Sequence, residues 1–378
     1  MWIRNPWWDG CWFLSGFPLA LALVLVAAWS GLRLQNVFAF FAVVMTLDTI
    51  HRLAPMWTAW SHPGFRQVMV RRPMKYVVLP VAILVAGAAA GFASRAYWPA
   101  DVFVLSGQTY WPADRYMASG GVTYVPRTLS LNPLVWLMVL HYVWNIWHFA
   151  MQNFGVMQIY RRLSERKSNG LLREATEVRP GVHGKNATRE RAIDRGLFLG
   201  IQIAIGIQVL FSLPSTNWLT RYPPAVETNH VVYVLLGIAA LAAVVREAAV
   251  SGHWCSPRIL FAASQMVIMF TASGLWVVVI SSFNHWLVAI GLTGHIDANR
   301  RGGSPLPAVC IVAVLGAGLT VLLFFTPYLR ANFFAALLGF SAALGIVHFL
   351  YDRWLYNLSN PAVRATIGTD LFGEARKT

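Results

Sequence analysis

Four stretches of this chain set histidine, carboxylate and amide side chains at helical spacing inside otherwise apolar sequence. Asp48 and His51 lie three residues apart. His141, Asn145, His148 and Gln152 follow one another at steps of four, three and four. Asn284 and His285 are adjacent, with His295 further along, and His348 and Asp352 are four apart, directly before Arg353. Steps of three and four put side chains on one face of a helix. An ionisable residue placed in a bilayer costs roughly 2.5–3.5 kcal/mol on insertion scales, so four such stripes call for a purpose. A lone intramembrane histidine can simply hydrogen-bond to a neighbouring helix, at ~0.6 kcal/mol on average. A set of this size and regularity argues for more. Imidazole and carboxylate donors together suit iron, manganese or zinc and not calcium. The candidate metal set is His51, His141, His148, His285, His348 and Asp352, with His141 either a ligand or a residue that orients one. Asp48, Gln152 and Asp352 are the candidate catalytic groups: the two acids complete or orient the ligand set, and Gln152 with Asn145 holds substrate or water.

Other chemistries are poorly represented. The three cysteines, Cys11, Cys255 and Cys310, show no CxxC spacing and none sits in the four stripes. That excludes a disulfide framework and argues against an iron–sulfur cluster. There is no GxSxG elbow, no Walker A loop, no GxGxxG fingerprint and no HExxH. The tight histidine pairs of membrane desaturases are missing too. Haem fits less well than non-haem iron: bundles that stack two haems space the histidines of one helix about 13–14 residues apart, whereas His141 and His148 are too close for two macrocycles.

The elements that must carry these stripes follow from composition. Hydrophobic residues make up 57% of the 378-residue chain and charged residues 12%, against about 25% charged in soluble domains. Too few charges remain to cover a soluble surface of this size, so the expected fold is an all-α, polytopic transmembrane bundle, a single integral-membrane domain over residues 1–378. A span needs about 20 mostly apolar residues. That length places about ten spans, near 12–32, 35–57, 75–95, 133–158, 196–214, 230–250, 257–274, 275–297, 306–327 and 332–357, with a tight turn at Thr271–Gly274. The net charge of +15 would suggest nucleic acid in a soluble chain. Here the cations gather in loops beside the spans, at 58–75, at 159–195, at Arg300-Arg301 and in the tail, which predicts those loops and both termini to be cytoplasmic. Anionic lipid headgroups are then the expected partner of the cations, and nucleic acid is not. The multi-pass chain is expected in a bacterial inner membrane.

Two loops stand out. Residues 96–132 contain Tyr-Trp-Pro-Ala-Asp twice, at 97–101 and 110–114, and read as an external aromatic loop at the headgroup layer. Residues 159–195 are polar and basic, with Arg161, Arg162, Arg166 and Lys167 at their start, and read as a cytoplasmic loop with room for one short helix. His62, His183, His230 and His253 fall outside the spans or at their ends, where a solvated or headgroup role is expected. In this topology His51, His148, His285, His348 and Asp352 are expected to share one layer.

The four stripes also carry a family resemblance. Trp147-His148-Phe149-Ala150-Met151-Gln152-Asn153 is similar to the IHFGMAD segment of the bacterial Brp/Blh family of integral-membrane β-carotene-cleaving dioxygenases, with Asn153 in place of its acid. Val347-His348-Phe349-Leu350-Tyr351-Asp352 resembles that family's PHMILID segment with the carboxylate one residue closer. Leu47-Asp48-Thr49-Ile50-His51 corresponds to GLPHGALD, with the acid before the histidine, and Asn284-His285 stands where the family has a histidine pair. The resemblance covers about thirty residues. It implies a helical membrane bundle whose histidines, on separate helices, hold non-haem iron; it does not name the substrate.

The function expected from the sequence is thus a membrane metalloenzyme, an oxygenase or oxidoreductase with one or two non-haem irons, acting with molecular oxygen on a lipid or other hydrophobic small molecule. Two alternatives belong to other classes: a proton-coupled transporter, in which intramembrane Asp and His form a relay, and a haem-binding electron carrier.

Overall fold

Proline and glycine punctuate the chain into helices. The computed structural model describes residues 2–15, scattered positions between 18 and 29, and residues 34–94, 133–173, 184–212, 223–251, 256–271, 275–325 and 331–372; among these no strand occurs. A one-turn helix at Pro6–Asp9 and a wide π turn at Gly10–Leu14 come first. There follow α1 (Leu34–Ser61), α2 (Pro63–Val70), a second π turn (Met74–Val78), α3 (Leu79–Ala93), α4 (Pro133–Arg173), α5 (Gly184–Ser212), α6 (Pro223–Ser251), α7 (Pro257–Thr271), α8 (Leu275–Arg301), α9 (Leu306–Phe325) and α10 (Ala331–Leu355), then short turns to residue 372. Proline opens α2, α4, α6 and α7, where its missing N–H is one of the helix's unpaired donors anyway. α8 ends on Arg300-Arg301, cations that suit the negative end of the helix dipole. The next residue is Gly302, at φ 68°, the left-handed conformation that stops a helix.

The fold is therefore all-α. Among the described residues one helix, Met74–Ser94, is long and apolar enough to cross a membrane, with mean hydropathy 2.2; His230–Arg246 and Leu306–Leu322 are shorter apolar stretches. The expected span at 12–32 and the aromatic loop at 96–132 lie largely or wholly outside the described residues. The basic stretch 159–195 differs from its expected form. α4 continues through it to Arg173 and α5 starts at Gly184. Near the ends of this stretch a largely buried ion pair joins the two helices: Arg161 donates to Asp194 at 2.8 Å, and Gln158 donates to the same carboxylate at 3.1 Å. Arg161 is thus a tie between α4 and α5 and not a solvated loop cation.

The chain packs as two units, Met1–Asp48 with Ile146–Val309 and Thr369–Thr378, and Thr49–Asn145 with Cys310–Gly368. In the first unit Asp9 is fully buried and accepts from the Ile3 and Arg4 N–H groups at 2.7 and 3.1 Å and from the Tyr160 hydroxyl at 3.0 Å. Burial pushes the Asp9 carboxyl above the usual carboxylate range, although these donors oppose the shift. Asn153 of α4 donates to Gln265 of α7 at 2.8 Å. At the end of α8, Asn299 donates to the Asp370 carbonyl at 2.7 Å and His295 Nε2 meets the Leu371 carbonyl at 3.0 Å.

In the second unit α3 and α10 meet backbone to backbone. A Cβ on Gly87 would stand 2.6 Å from the Gly339 carbonyl oxygen, and one on Gly339 would stand 2.8 Å from the Gly91 nitrogen. Gly87 and Gly91, four apart, thus face Gly339, with Ala343 four further on, an arrangement of small residues that lets helices approach closely. Tyr351 of α10 donates to the Tyr76 carbonyl at 2.7 Å and so pins α10 to the second π turn. His62 is another departure from expectation. It is buried, and its Nδ1 accepts the Phe65 N–H at 3.2 Å as the N-cap of α2, one of the cap roles a helix start requires.

Apolar side chains point outward over long faces. On α6, Val231, Val234 and Leu235, Ile238, Leu241 and Val245 share one helical face, and Ile238 is 60% exposed; on α9 Val314 is 72% exposed. The polar residues Asn284, His285 and His348 are by contrast at most 1% exposed.

Candidate metal centre

In the second unit the sequence-read residues meet on α1 and α10. The rings of His51 and His348 stand edge to face with centroids 4.6 Å apart. His348 Nε2 lies 3.9 Å from Asp352 Oδ2. His51 and His348 present ligand atoms within 4.8 Å of each other, and so do His348 and Asp352. Two nitrogens bound to one ion at ~2.1 Å each are separated by about 3.4–4.2 Å, inside the 4.8 Å within which these ligand atoms lie. All three residues are buried, His348 completely. Two imidazoles and one carboxylate are the donor set of the facial-triad iron sites.

Local sequence explains why these side chains converge. His348 and Asp352 share a face of α10 because they are four apart. α1 is brought up by close backbone contact: a Cβ on Gly316 of α9 would stand 2.7 Å from the Ile50 Cα, next to His51. Pro55 lies within α1, and its missing N–H removes the intrahelical donor to the His51 carbonyl four residues earlier. Arg52 ties α1 to α10, donating through Nη1 to the Ser341 carbonyl at 2.6 Å and to its hydroxyl at 3.2 Å. Ser341 lies two turns before His348, so the tie fixes the register of α10 against α1. The sequence reading passed over Arg52, although a guanidinium inside an expected span was signal enough.

His141 takes a different place. Its ring stacks on Phe349 at 5.4 Å and 11°, and a Cβ on Gly345 would collide with it. α10 therefore shows two faces: Gly345 and Phe349 toward His141, and His348 with Asp352 on the His51 side. Asn145 is half-buried one turn further along α4, and Asp48 is buried one turn before His51 on α1.

In the first unit a second histidine pair forms on α4 and α8. His148 and His285 stand edge to face at 4.8 Å, and Phe149 stacks on His285 at 3.9 Å. Gln152, one turn after His148, donates to the His285 backbone carbonyl at 3.4 Å, while its Oε1 is buried with no hydrogen-bond partner among the described residues. Asn284, 1% exposed, has neither side-chain atom hydrogen-bonded among them. Buried amides left in this state ask for a water or a ligand.

Comparison of the chain with family models, with curated proteins and with solved structures finds no match. The functional reading rests on the residues themselves.

Proposed function

We propose that this chain is an integral-membrane, non-haem iron oxygenase acting on a lipophilic substrate. The observation that carries the reading is the buried His51–His348–Asp352 set, two imidazoles and a carboxylate on predominantly apolar helices. His51, His348 and Asp352 would hold one ion. His148 and His285 are the donors available for a second, and the amides of Gln152 and Asn284 would orient the polar end of the substrate or a water. Iron in such a set supplies activation of molecular oxygen. The protein's own part is to keep the site dry, to fix the imidazoles in orientation and to present the substrate. The four His-bearing segments resemble those of the Brp/Blh dioxygenases, which supports the same reading.

A bundle of about ten spans with both termini cytoplasmic belongs to this proposal. Its support is the inverted distribution of polarity. Contiguous apolar patches on soluble monomers rarely exceed a few hundred Å², whereas here whole helix faces such as Val231–Val245 on α6 are exposed. Lipid is the solvent that suits them, and it would also deliver a hydrophobic substrate laterally.

Nitric oxide tests the metal assignment. Protein loaded anaerobically with ferrous iron should bind it and give the high-spin electron-paramagnetic signal of a non-haem iron nitrosyl. A low-spin haem nitrosyl signal would favour the electron-carrier alternative, and absence of any iron signal the proton-coupled transporter.

A further inference from the structure

The charge of the second unit is one-sided. Its described residues hold a single acid, Asp352, which is buried, while Arg66, Arg71, Arg72, Lys75 and Arg364 are all exposed. These cations are gathered by the fold. Phe65 and Met69 bury one face of α2 and leave Arg66 outward, and Phe65 meets the Tyr76 ring at 5.9 Å. Arg71 and Arg72 form the junction between α2 and the second π turn, where their amides bond to the Gln67 and Met69 carbonyls at 3.2 and 3.0 Å. Lys75 is steered by aromatic faces, its ammonium 4.9 Å from the Tyr76 centroid and 5.4 Å from that of Trp354. On the neighbouring turn Gly64 abuts Thr366, and Arg364 is held by its Nε donating to the Leu358 carbonyl at 2.9 Å.

Directly beyond this cationic ledge the same segment turns apolar on its outer face. Met74, Val78, Val81 and Val85 follow at steps of four, three and four, and they are 71%, 46%, 53% and 63% exposed. A fixed group of cations above an exposed aliphatic stripe matches a molecule with an anionic head and a hydrocarbon tail. Inorganic phosphate would use the cations and leave the stripe uncovered. An acidic protein partner would not need the stripe to run down the helix most able to cross a membrane.

We propose that the Arg71–Arg72–Lys75 ledge is a seat for an anionic glycerophospholipid, whose phosphate lies among these cations and whose acyl chains run along Met74, Val78, Val81 and Val85. This site rests on the membrane reading above and is independent of the metal. Each cation near an anionic headgroup strengthens binding about fivefold, so removing three should weaken it by about a hundredfold.

The test uses the full-length protein in detergent micelles doped with phosphatidylglycerol or phosphatidylcholine, read by native mass spectrometry. Wild type should retain phosphatidylglycerol preferentially. The triple variant Arg71→Gln, Arg72→Gln, Lys75→Gln should lose that preference while keeping its melting temperature, and Arg191→Gln, an exposed cation of the first unit, should keep the preference. Equal retention of the two lipids by wild type, or an unchanged preference in the triple variant, would overturn the seat. So would displacement of the lipid by millimolar inorganic phosphate, which would mark a plain phosphate site. A triple variant that melts early is replaced by the single Arg72→Gln, for which about a fivefold loss is expected and no loss refutes the proposal. Alkaline carbonate washing of membranes separates the two levels: release of the chain would defeat the membrane reading itself, whereas a retained chain without lipid preference defeats only the seat.

Discussion

His51 and His348 are either an aromatic contact or two ligands of one ion, and a double-mutant cycle separates the two. As a ring pair with centroids 4.6 Å apart, they are worth about 0.5–1.5 kcal/mol to each other beyond burial. That coupling does not depend on what is dissolved in the buffer. As ligands they share the stabilisation that the metal gives the native state, RT ln(1 + [L]/Kd), about 2.7 kcal/mol at a hundredfold excess over Kd and about 4.1 at a thousandfold. Either single variant empties the site, so the double variant should lose no more metal-dependent stability than one alone. The expected apparent coupling is therefore roughly 3–5 kcal/mol with iron present, falling below about 1.5 kcal/mol in chelator. The assay is unfolding in detergent of wild type, His51→Ala, His348→Ala and the double variant, with and without chelator, alongside bound metal. Because His348 is completely buried, each alanine also leaves a cavity, but that cost is the same in both buffers and cancels in the comparison. A coupling unchanged by chelator, with wild-type metal content in both single variants, would refute the shared site.

Three further outcomes are expected. His141→Ala should keep its metal, because the His141 ring stacks on Phe349, and should lose about 1–3 kcal/mol of stability through packing alone; metal loss equal to that of His348→Ala would place it among the ligands. Gly339→Val should cost about 1–3 kcal/mol or more, since a side chain there drives α10 off α3 at the Gly87 carbonyl; an unchanged melting temperature would mean that the helices do not cross backbone to backbone. Asp9 has a pKa raised by burial, so its neutral form favours the docked N-terminus. That contribution is complete below the ordinary carboxylate pKa and is lost as pH rises through the raised one. Hydrogen exchange at the Ile3 and Arg4 amides should quicken over that window beyond its intrinsic pH dependence, and Asp9→Asn should remove the excess.

The helices were legible because apolar runs and prolines mark them. The expected spans at 35–57, 257–274, 275–297, 306–327 and 332–357 fall on α1, α7, α8, α9 and α10 with small shifts at the ends. The His348/Asp352 face was legible because a step of four is local geometry. His51 and His348, about three hundred residues apart, were linked in the sequence only by type and depth, and their contact depends on Gly316, Arg52 and Ser341, none of which looks chemical by itself. The continuation of α4 through residues 159–173 was hidden for another reason. Its polar composition resembles a loop, and only Asp194 on the next helix reveals that Arg161 is buried. His62 falls outside the expected spans, where a solvated or headgroup role is the default, yet the residue before Pro63 is where α2 needs a cap. The different surroundings of His141 and His148, on one helix seven residues apart, are set by what stands across from each, Gly345 with Phe349 in one case and His285 in the other.

The central claim is that the chain holds non-haem iron through His51, His348 and Asp352. It is tested most directly by the metal content and absorption spectrum of the purified full-length protein, wild type beside His348→Ala. The expected result is about one to two equivalents of iron per chain in wild type with no haem absorption band, and a loss of at least one equivalent in His348→Ala. Iron-free wild-type protein after growth and purification with iron supplied, or a haem spectrum, or iron unchanged in His348→Ala, would contradict it.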